Sequence, residues 1–187
     1  MPRALDLLIA SLALLVLSPL IAIAAIAIKL GSRGPVIYRQ RRVGLGGEEF
    51  EMLKLRTMVS GSDPVGVGTA VTRGDPRVTG AGRVLRRTSL DEIPNLVNVI
   101  RGEMSIVGPR PTIPAQVAAF GPEQRRRHEV RPGITGWAQV QGRAGIPWER
   151  RIELDVWYVD HRGTGLDLRI LAKTAWLLVS GRGLAPD

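Results

Sequence analysis

Two carboxylates, Asp91 and Glu92, stand side by side in Ser89-Leu90-Asp91-Glu92-Ile93-Pro94, and Arg110 follows between prolines in Val107-Gly108-Pro109-Arg110-Pro111. A carboxylate that attacks phosphorus brings one anion against another, so it needs cations alongside to cancel the repulsion. The chain holds them in excess, with 26 Lys+Arg against 17 Asp+Glu and a net charge of +9. Two acidic neighbours are ordinarily a solvated surface pair. What sets this pair apart is its company, because Lys54, Arg56, Arg83, Arg86, Arg87, Arg110, Arg131 and Arg143 are all potential phosphate ligands. The planar fork of arginine suits phosphate oxygens. With an apolar segment in the same chain, these residues point to a phosphorylated lipid or a nucleotide as the partner class.

That apolar segment covers positions 7–28, 22 residues in a row without a charge. As one helix it would extend about 33 Å and cross the hydrocarbon core. Two features complicate a simple span. Ser18-Pro19 falls near its middle, and basic residues flank both ends: Arg3 on one side, Lys29, Arg33, Arg39, Arg41 and Arg42 on the other. Proline removes a backbone donor and bends a helix, and serine can bond the carbonyls so freed. Positive charge marks the cytoplasmic side of a membrane segment, and here it marks both ends. A helix–break–helix hairpin within one leaflet, each arm about 15 Å, satisfies these residues, and so does a kinked span. Ala25-Ile26-Ala27 looks like a signal-peptide cleavage site, but the run exceeds the usual apolar core of roughly 7–15 residues.

The 187 residues suffice for one compact domain with an appendage. The division expected is a membrane hairpin over 1–32 and a single catalytic domain over 33–187. The domain reads as mixed α/β (α+β) and helix-rich. Positions 36–42 and 49–57 read as strands joined across Gly44-Leu45-Gly46-Gly47. Positions 60–75 read as a loop, whose Gly66-Val67-Gly68 has Val71 where a dinucleotide fingerprint needs a third glycine. The dyad should lie near a helix start or on a turn within 84–99. Prolines at 109, 111 and 114 exclude regular helix there and leave Arg110 on a stiff, extended segment. Positions 116–130, with Arg125-Arg126-Arg127, are helix-compatible; 133–143 read as extended and 148–160 as helix. Leu168, Leu171, Ala172, Ala175, Leu178 and Val179 share one helical stripe. Core packing is the ordinary reading of such a stripe. A helix in the headgroup layer is the alternative, favoured by Arg169, Lys173 and Trp176 beside it.

Composition excludes several chemistries. With no cysteine there are no disulfides, thiolate catalysis or Cys-based metal sites, which fits a cytoplasm-facing protein. His128 and His161 form no metal-ligand spacing. The pI of about 11.2 suits nucleic acid, an anionic membrane or a polyanionic substrate. Aromatic residues at only 4%, and no recognised nucleic-acid motif, argue against the first.

Taken together, the motifs resemble the bacterial sugar transferases of the monotopic phosphoglycosyl transferase type, from position 3 to 181 with few gaps. The likeness rests on Leu17-Ser18-Pro19-Leu20, Gly34-Pro35-Val36-Ile37-Tyr38-Arg39-Gln40, Lys54-Leu55-Arg56-Thr57-Met58 and Asp75-Pro76-Arg77-Val78-Thr79. It continues through Leu85-Arg86-Arg87-Thr88-Ser89-Leu90-Asp91-Glu92, the 107–111 segment, Pro132-Gly133-Ile134-Thr135-Gly136-Trp137-Ala138-Gln139-Val140 and Asp155-Val156-Trp157-Tyr158. Departures are slight: Gln141 and Asn95 each exchange one amide for another, and Gly163-Thr164-Gly165 stands where relatives often carry bulkier apolar residues.

The resemblance implies transfer of a phospho-sugar from a UDP-sugar to undecaprenyl phosphate, with release of UMP and the start of a membrane-bound glycan. It implies Asp91 as nucleophile, forming a covalent intermediate in a ping-pong reaction, and Glu92 as holder of Mg2+. It also implies a re-entrant helix broken at Ser18-Pro19, amphipathic interfacial helices, and a catalytic domain on the cytoplasmic face of the bacterial inner membrane. The substrate ligands expected are Lys54, Arg56, Arg86, Arg110, Arg131 and Arg143, with Asp155 added from its family motif. Sugar choice is expected from residues 60–75 and 143–150. The physics agrees: an ionised carboxylate and a lipid phosphate attack without deprotonation, so no histidine base is needed. A non-catalytic polyprenyl-phosphate binding or scaffold protein is the alternative, and it leaves the dyad without a role.

Overall fold

The computed structural model describes residues 1–62, 74–142 and 145–180. Arg143 and most of the expected 60–75 loop therefore lie outside the described residues.

Among the described residues one helix is long and apolar enough to cross a membrane, α1 at Arg3–Gly31. The two separate helices expected around Ser18-Pro19 are instead one. Pro19 offers no N–H to the carbonyl of Leu15, four residues back. The Ser18 hydroxyl donates to that same carbonyl at 2.8 Å, and the helix runs through. Both ends of α1 are tied to the same domain. At its start, Asp6 accepts bonds from the Ser105 hydroxyl and the Ile106 amide, both at 2.9 Å, and Arg3 donates to the Val99 carbonyl. Beyond its end, Arg56 donates to the Ser32 and Arg33 carbonyls, each at 2.8 Å. Between these anchors Ala10, Ala24 and Ile28 are buried, whereas Leu8, Leu12, Leu15, Ile23 and Ile26 are exposed.

Strands β1 (Ile37–Val43) and β2 (Glu49–Leu55) form an antiparallel hairpin that sets Tyr38 opposite Lys54. Gly46 and Gly47, at φ 66° and 86°, make its turn. Helix α2 (Gly80–Arg87) starts at Thr79, whose hydroxyl accepts the Gly82 amide at 2.9 Å. Ser89 then takes a left-handed φ of 57°, the one such non-glycine among the described residues, and turns the chain into the 3-10 turn Leu90–Glu92. Helix α3 (Asn95–Arg101) follows directly. Its buried Asn98 amide donates to the Glu51 carbonyl at 2.7 Å and accepts the Leu53 amide at 3.0 Å. These bonds fasten β2, the strand that carries Lys54, to the helix that follows the dyad.

A short parallel pair, β3 (Ser105–Val107) and β4 (Gly133–Thr135), brackets the next stretch. The helix expected over 116–130 is broken into α4 (Pro114–Val117), α5 (Pro122–Arg125) and a 3-10 turn at Arg126–Glu129. Gly121-Pro122 interrupts it, since proline cannot donate to a preceding turn. Among the described residues, the extended reading of 133–143 holds only for β4. Gly136 and Gly142 bound a short helix, α6 (Trp137–Gln141), that buries Ala138 and Val140.

Helices α7 (Trp148–His161) and α8 (Thr164–Val179) complete the described chain. The core joins Ala10 of α1 to Val99, Met104, Ile106, Tyr158 and Ile170. Helix α8 turns Asp167 and Ile170 inward, and leaves Leu168, Trp176, Leu178 and Val179 exposed. Core packing is thus corrected for most of that stripe: the buried face lies around the helix from it. The molecule is helix-rich, with two small sheets and one long apolar helix among the described residues.

Candidate active site

A cleft of about 1180 Å³ opens between these elements. Lys54, Arg86, Asp91, Glu92 and Arg110 line its charged part, while Ala13 and Leu17 of α1 and Leu177 and Leu178 of α8 line an apolar seam. Gln116, Gln139, Trp148, Arg151 and Asp155 also line it.

The two members of the dyad are held differently. Glu92 accepts both guanidinium nitrogens of Arg110, the Nη1 bond at 3.2 Å, and the Lys54 ammonium at 3.0 Å. Burial alone would raise its pKa, but Arg110 and Lys54 outweigh burial and hold the carboxyl far below the usual range. The same burial lowers Lys54, against the pull of Glu92, and Glu92 raises Arg110. Asp91 is half-buried and accepts no hydrogen bond among the described residues. Burial raises its pKa, opposed by Lys54, Arg86 and Arg110 and reinforced by the Glu92 charge. The two carboxylates of the dyad therefore stand in different electrostatic settings.

The segment that presents Arg110 has a simple hydrogen-bond account. Pro109 and Pro111 have no N–H to donate, so the segment is held by its carbonyls. Gly133 donates to the Pro109 carbonyl at 2.9 Å, Arg127 to that of Arg110 at 2.8 Å, Arg42 to that of Pro111 at 3.0 Å, and Val43 to that of Thr112 at 2.8 Å. The Gly133 bond needs glycine on both sides, because a Cβ on Gly133 would lie 2.1 Å from the Gly108 nitrogen. Arg127 also donates to the Thr112 hydroxyl and to the Asp155 carboxylate. Burial and the nearby Arg110 charge lower Arg42 to about 10.

The expected ligands separate by place. Lys54, Arg86 and Arg110 converge on the dyad, with the Arg86 Nε held at 2.8 Å by the Thr57 hydroxyl. Arg56 lines the cleft, but its guanidinium is committed to the carbonyls beyond α1. Arg131 stands apart from the expected group: it is exposed, donates to the Gly102 carbonyl at 2.9 Å, and does not line the cleft. Arg83 and Arg87 are exposed and also stand off it. Asp155 lines the cleft while paired to Arg127. Sequence reading missed Arg42, Tyr38 and Gln40 as lining residues. The two-residue alternation of β1 was the available signal, since it puts all three on the face that carries Lys54 across the hairpin.

Fold and site first define a class: a small helix-rich unit whose cleft gathers carboxylates and cations with apolar residues of two helices. The chain belongs to the bacterial sugar transferases, whose family model matches residues 1–181. It is similar to the uncharacterized sugar transferase EpsL of Bacillus subtilis, 44% identical over 165 residues that cover 88% of this chain and 79% of the relative. It is also similar to the UDP-glucose:undecaprenyl-phosphate glucose-1-phosphate transferase of Caulobacter vibrioides, 46% identical over 180 residues, 92% of this chain and 67% of that protein. A third relative is the UDP-N-acetylgalactosamine-undecaprenyl-phosphate N-acetylgalactosaminephosphotransferase of Aeromonas hydrophila, 41% identical over 187 residues. That match covers 97% of this chain but only 44% of the Aeromonas protein.

Proposed function

We propose that the chain transfers a phospho-sugar from a UDP-sugar to undecaprenyl phosphate, releasing UMP. The observation that carries this reading is the Asp91 carboxylate, which accepts no hydrogen bond among the described residues, beside a Glu92 clamped by Lys54 and Arg110. It lines one cleft with the Lys54, Arg86 and Arg110 cations and with apolar residues of α1 and α8, as a reaction between a nucleotide donor and a lipid acceptor requires. The Caulobacter and Aeromonas relatives, named for such donors and acceptor, support the same substrate classes.

In the first displacement an Asp91 oxygen attacks the sugar-bearing phosphorus, the phosphoanhydride bond breaks, and UMP leaves with the electron pair. In the second, a lipid phosphate oxygen attacks the acyl phosphate, and Asp91 leaves as a free carboxylate. Burial makes Asp91 more basic and so more nucleophilic, while Lys54, Arg86 and Arg110 limit the rise. The same three cations face the charge that builds on the phosphoryl oxygens.

Magnesium, implied by the resemblance, fits these residues. Such an ion takes one or two carboxylates and fills its shell with phosphate oxygens and water. Glu92 would hold it only in exchange for part of its clamp, since Arg110 and Lys54 meet both its oxygens, with Asp91 alongside; no cluster of three or more acidic or histidine ligands exists among the described residues. When bound, the ion neutralises charge on the donor diphosphate.

The membrane reading is a one-sided seat in the inner membrane. With both ends of α1 fastened to one domain, the helix stays on the cytoplasmic side of the bilayer, its exposed apolar face and that of α8 toward lipid. Single cysteines placed near each end of α1, in a chain that has none, should both react only from the cytoplasm. Periplasmic labelling at either end defeats this topology.

The chemistry is tested with solubilised protein, magnesium and a panel of UDP-sugars. Without lipid, UMP release should stop at one equivalent per site, with a phospho-sugar on Asp91 by peptide mass. Asp91→Asn should abolish UMP release and lipid product together. An adduct on Glu92, or a productive Asp91→Asn enzyme, overturns the assignment.

A further inference from the structure

Asp155 is buried, with about 5% of its side chain exposed, and its partner Arg127 only 3%. A buried pair of this kind gives little net stability, so its place in a small domain calls for another reason. The reason lies in what else Arg127 holds. One guanidinium nitrogen donates to Asp155 and to the Arg110 carbonyl, and another donates to the Thr112 hydroxyl. Arg127 thereby grips two residues of the proline-bounded segment, which cannot hold itself through N–H groups at 109 and 111. The faces of Phe120 and Trp148 lie 5.8 and 6.0 Å from the guanidinium carbon and close off water from the cation. At the other end of this lever, the Arg110 side chain meets Glu92.

We propose that Arg127 and Asp155 are positioning residues, which set where the Arg110 guanidinium stands relative to Glu92 and the incoming phosphate. This rests on the transferase reading. It gives Asp155 a role through Arg127 in place of direct contact with substrate. Asp155 orients and neutralises Arg127, Arg127 holds the segment, and the segment aims Arg110.

The test is a double-mutant cycle on kcat/KM for UMP release from a UDP-sugar, in the full chain. Arg127→Met with Asp155→Leu removes both buried charges at once, so neither is left unpaired; Asp155→Asn is the milder variant that keeps the shape. Each is made in the wild-type background and in an Arg110→Ala background, with thermal melting to check the fold. In wild type the variants should lower kcat/KM about tenfold, the size of one charge-assisted hydrogen bond. In Arg110→Ala they should lower it by less than about twofold, because the group they aim is gone. Effects that multiply undiminished across the two backgrounds overturn the proposal and leave the pair a purely structural feature. Wild type that releases no UMP sinks the transferase reading, and this proposal with it, whereas an active wild type with multiplicative effects sinks the proposal alone.

Discussion

Replacing Arg110 by alanine removes the fork that meets both oxygens of Glu92 and the cation nearest the clamped carboxylate. Glu92 keeps the Lys54 bond at 3.0 Å, so the dyad stays partly neutralised and the fold should survive. The Arg110 side chain is about 43% exposed, which keeps it within reach of an incoming donor. A hydrogen bond to a charged group contributes about 1.5–3 kcal/mol, or roughly 10- to 150-fold in kcat/KM. Arg126 is the matched control, as it is spent on Glu123, Glu129 and Asp160 at the surface. Its replacement by alanine should change kcat/KM by less than about twofold, as expected of a surface ion pair. Arg110→Lys should recover only part of the loss, because an ammonium cannot reproduce the planar fork. UMP release against UDP-sugar concentration reads all three variants. Equal losses from Arg110→Ala and Arg126→Ala would show that net charge alone matters, and full recovery by lysine would show that the fork does not.

Three further outcomes follow from the same structure. Lys54 is the strongest cationic influence lowering the Asp91 pKa, so Lys54→Met should move the acid limb of the UMP-release pH profile upward; an unmoved or lower midpoint refutes the electrostatic account. Burial and the neighbouring Arg127 charge depress His128 to about 4 from its ordinary 6.5. Between these values the unfolded chain binds more protons, so this contribution is present above about pH 6.5 and is lost as pH falls toward 4. His128→Gln should flatten the fall in thermal midpoint over that window, and an identical pH slope would refute the linkage. Asp6→Ala leaves the buried Ile106 amide without its acceptor, which should destabilise the fold by about 1–3 kcal/mol in denaturant melts; no loss would mean the α1 anchor is dispensable.

Much of this protein is written in local sequence. A stretch of 22 uncharged residues specifies the long apolar helix wherever the rest of the chain lies. The β1–β2 hairpin follows from alternating residues on either side of a glycine turn, and the non-helical setting of Arg110 follows from its flanking prolines. The adjacency of Asp91 and Glu92 is covalent and needs no fold at all. Tertiary structure decided which carboxylate is clamped, because the partners of Glu92 come from 38 residues before it and 18 after it. It also sorted the arginines. Arg110 reached the dyad, Arg56 was drawn to the end of α1 and Arg131 to the Gly102 carbonyl, and Arg127 was buried against Asp155. All these side chains carry the same charge and the same fork, so composition and spacing cannot rank them. Only the path of the backbone sets which acceptor each one meets. The same holds for the continuity of α1 through Pro19 and for the outward face of α8. A proline or an apolar stripe states a local constraint, while the contacts that answer it come from distant parts of the chain.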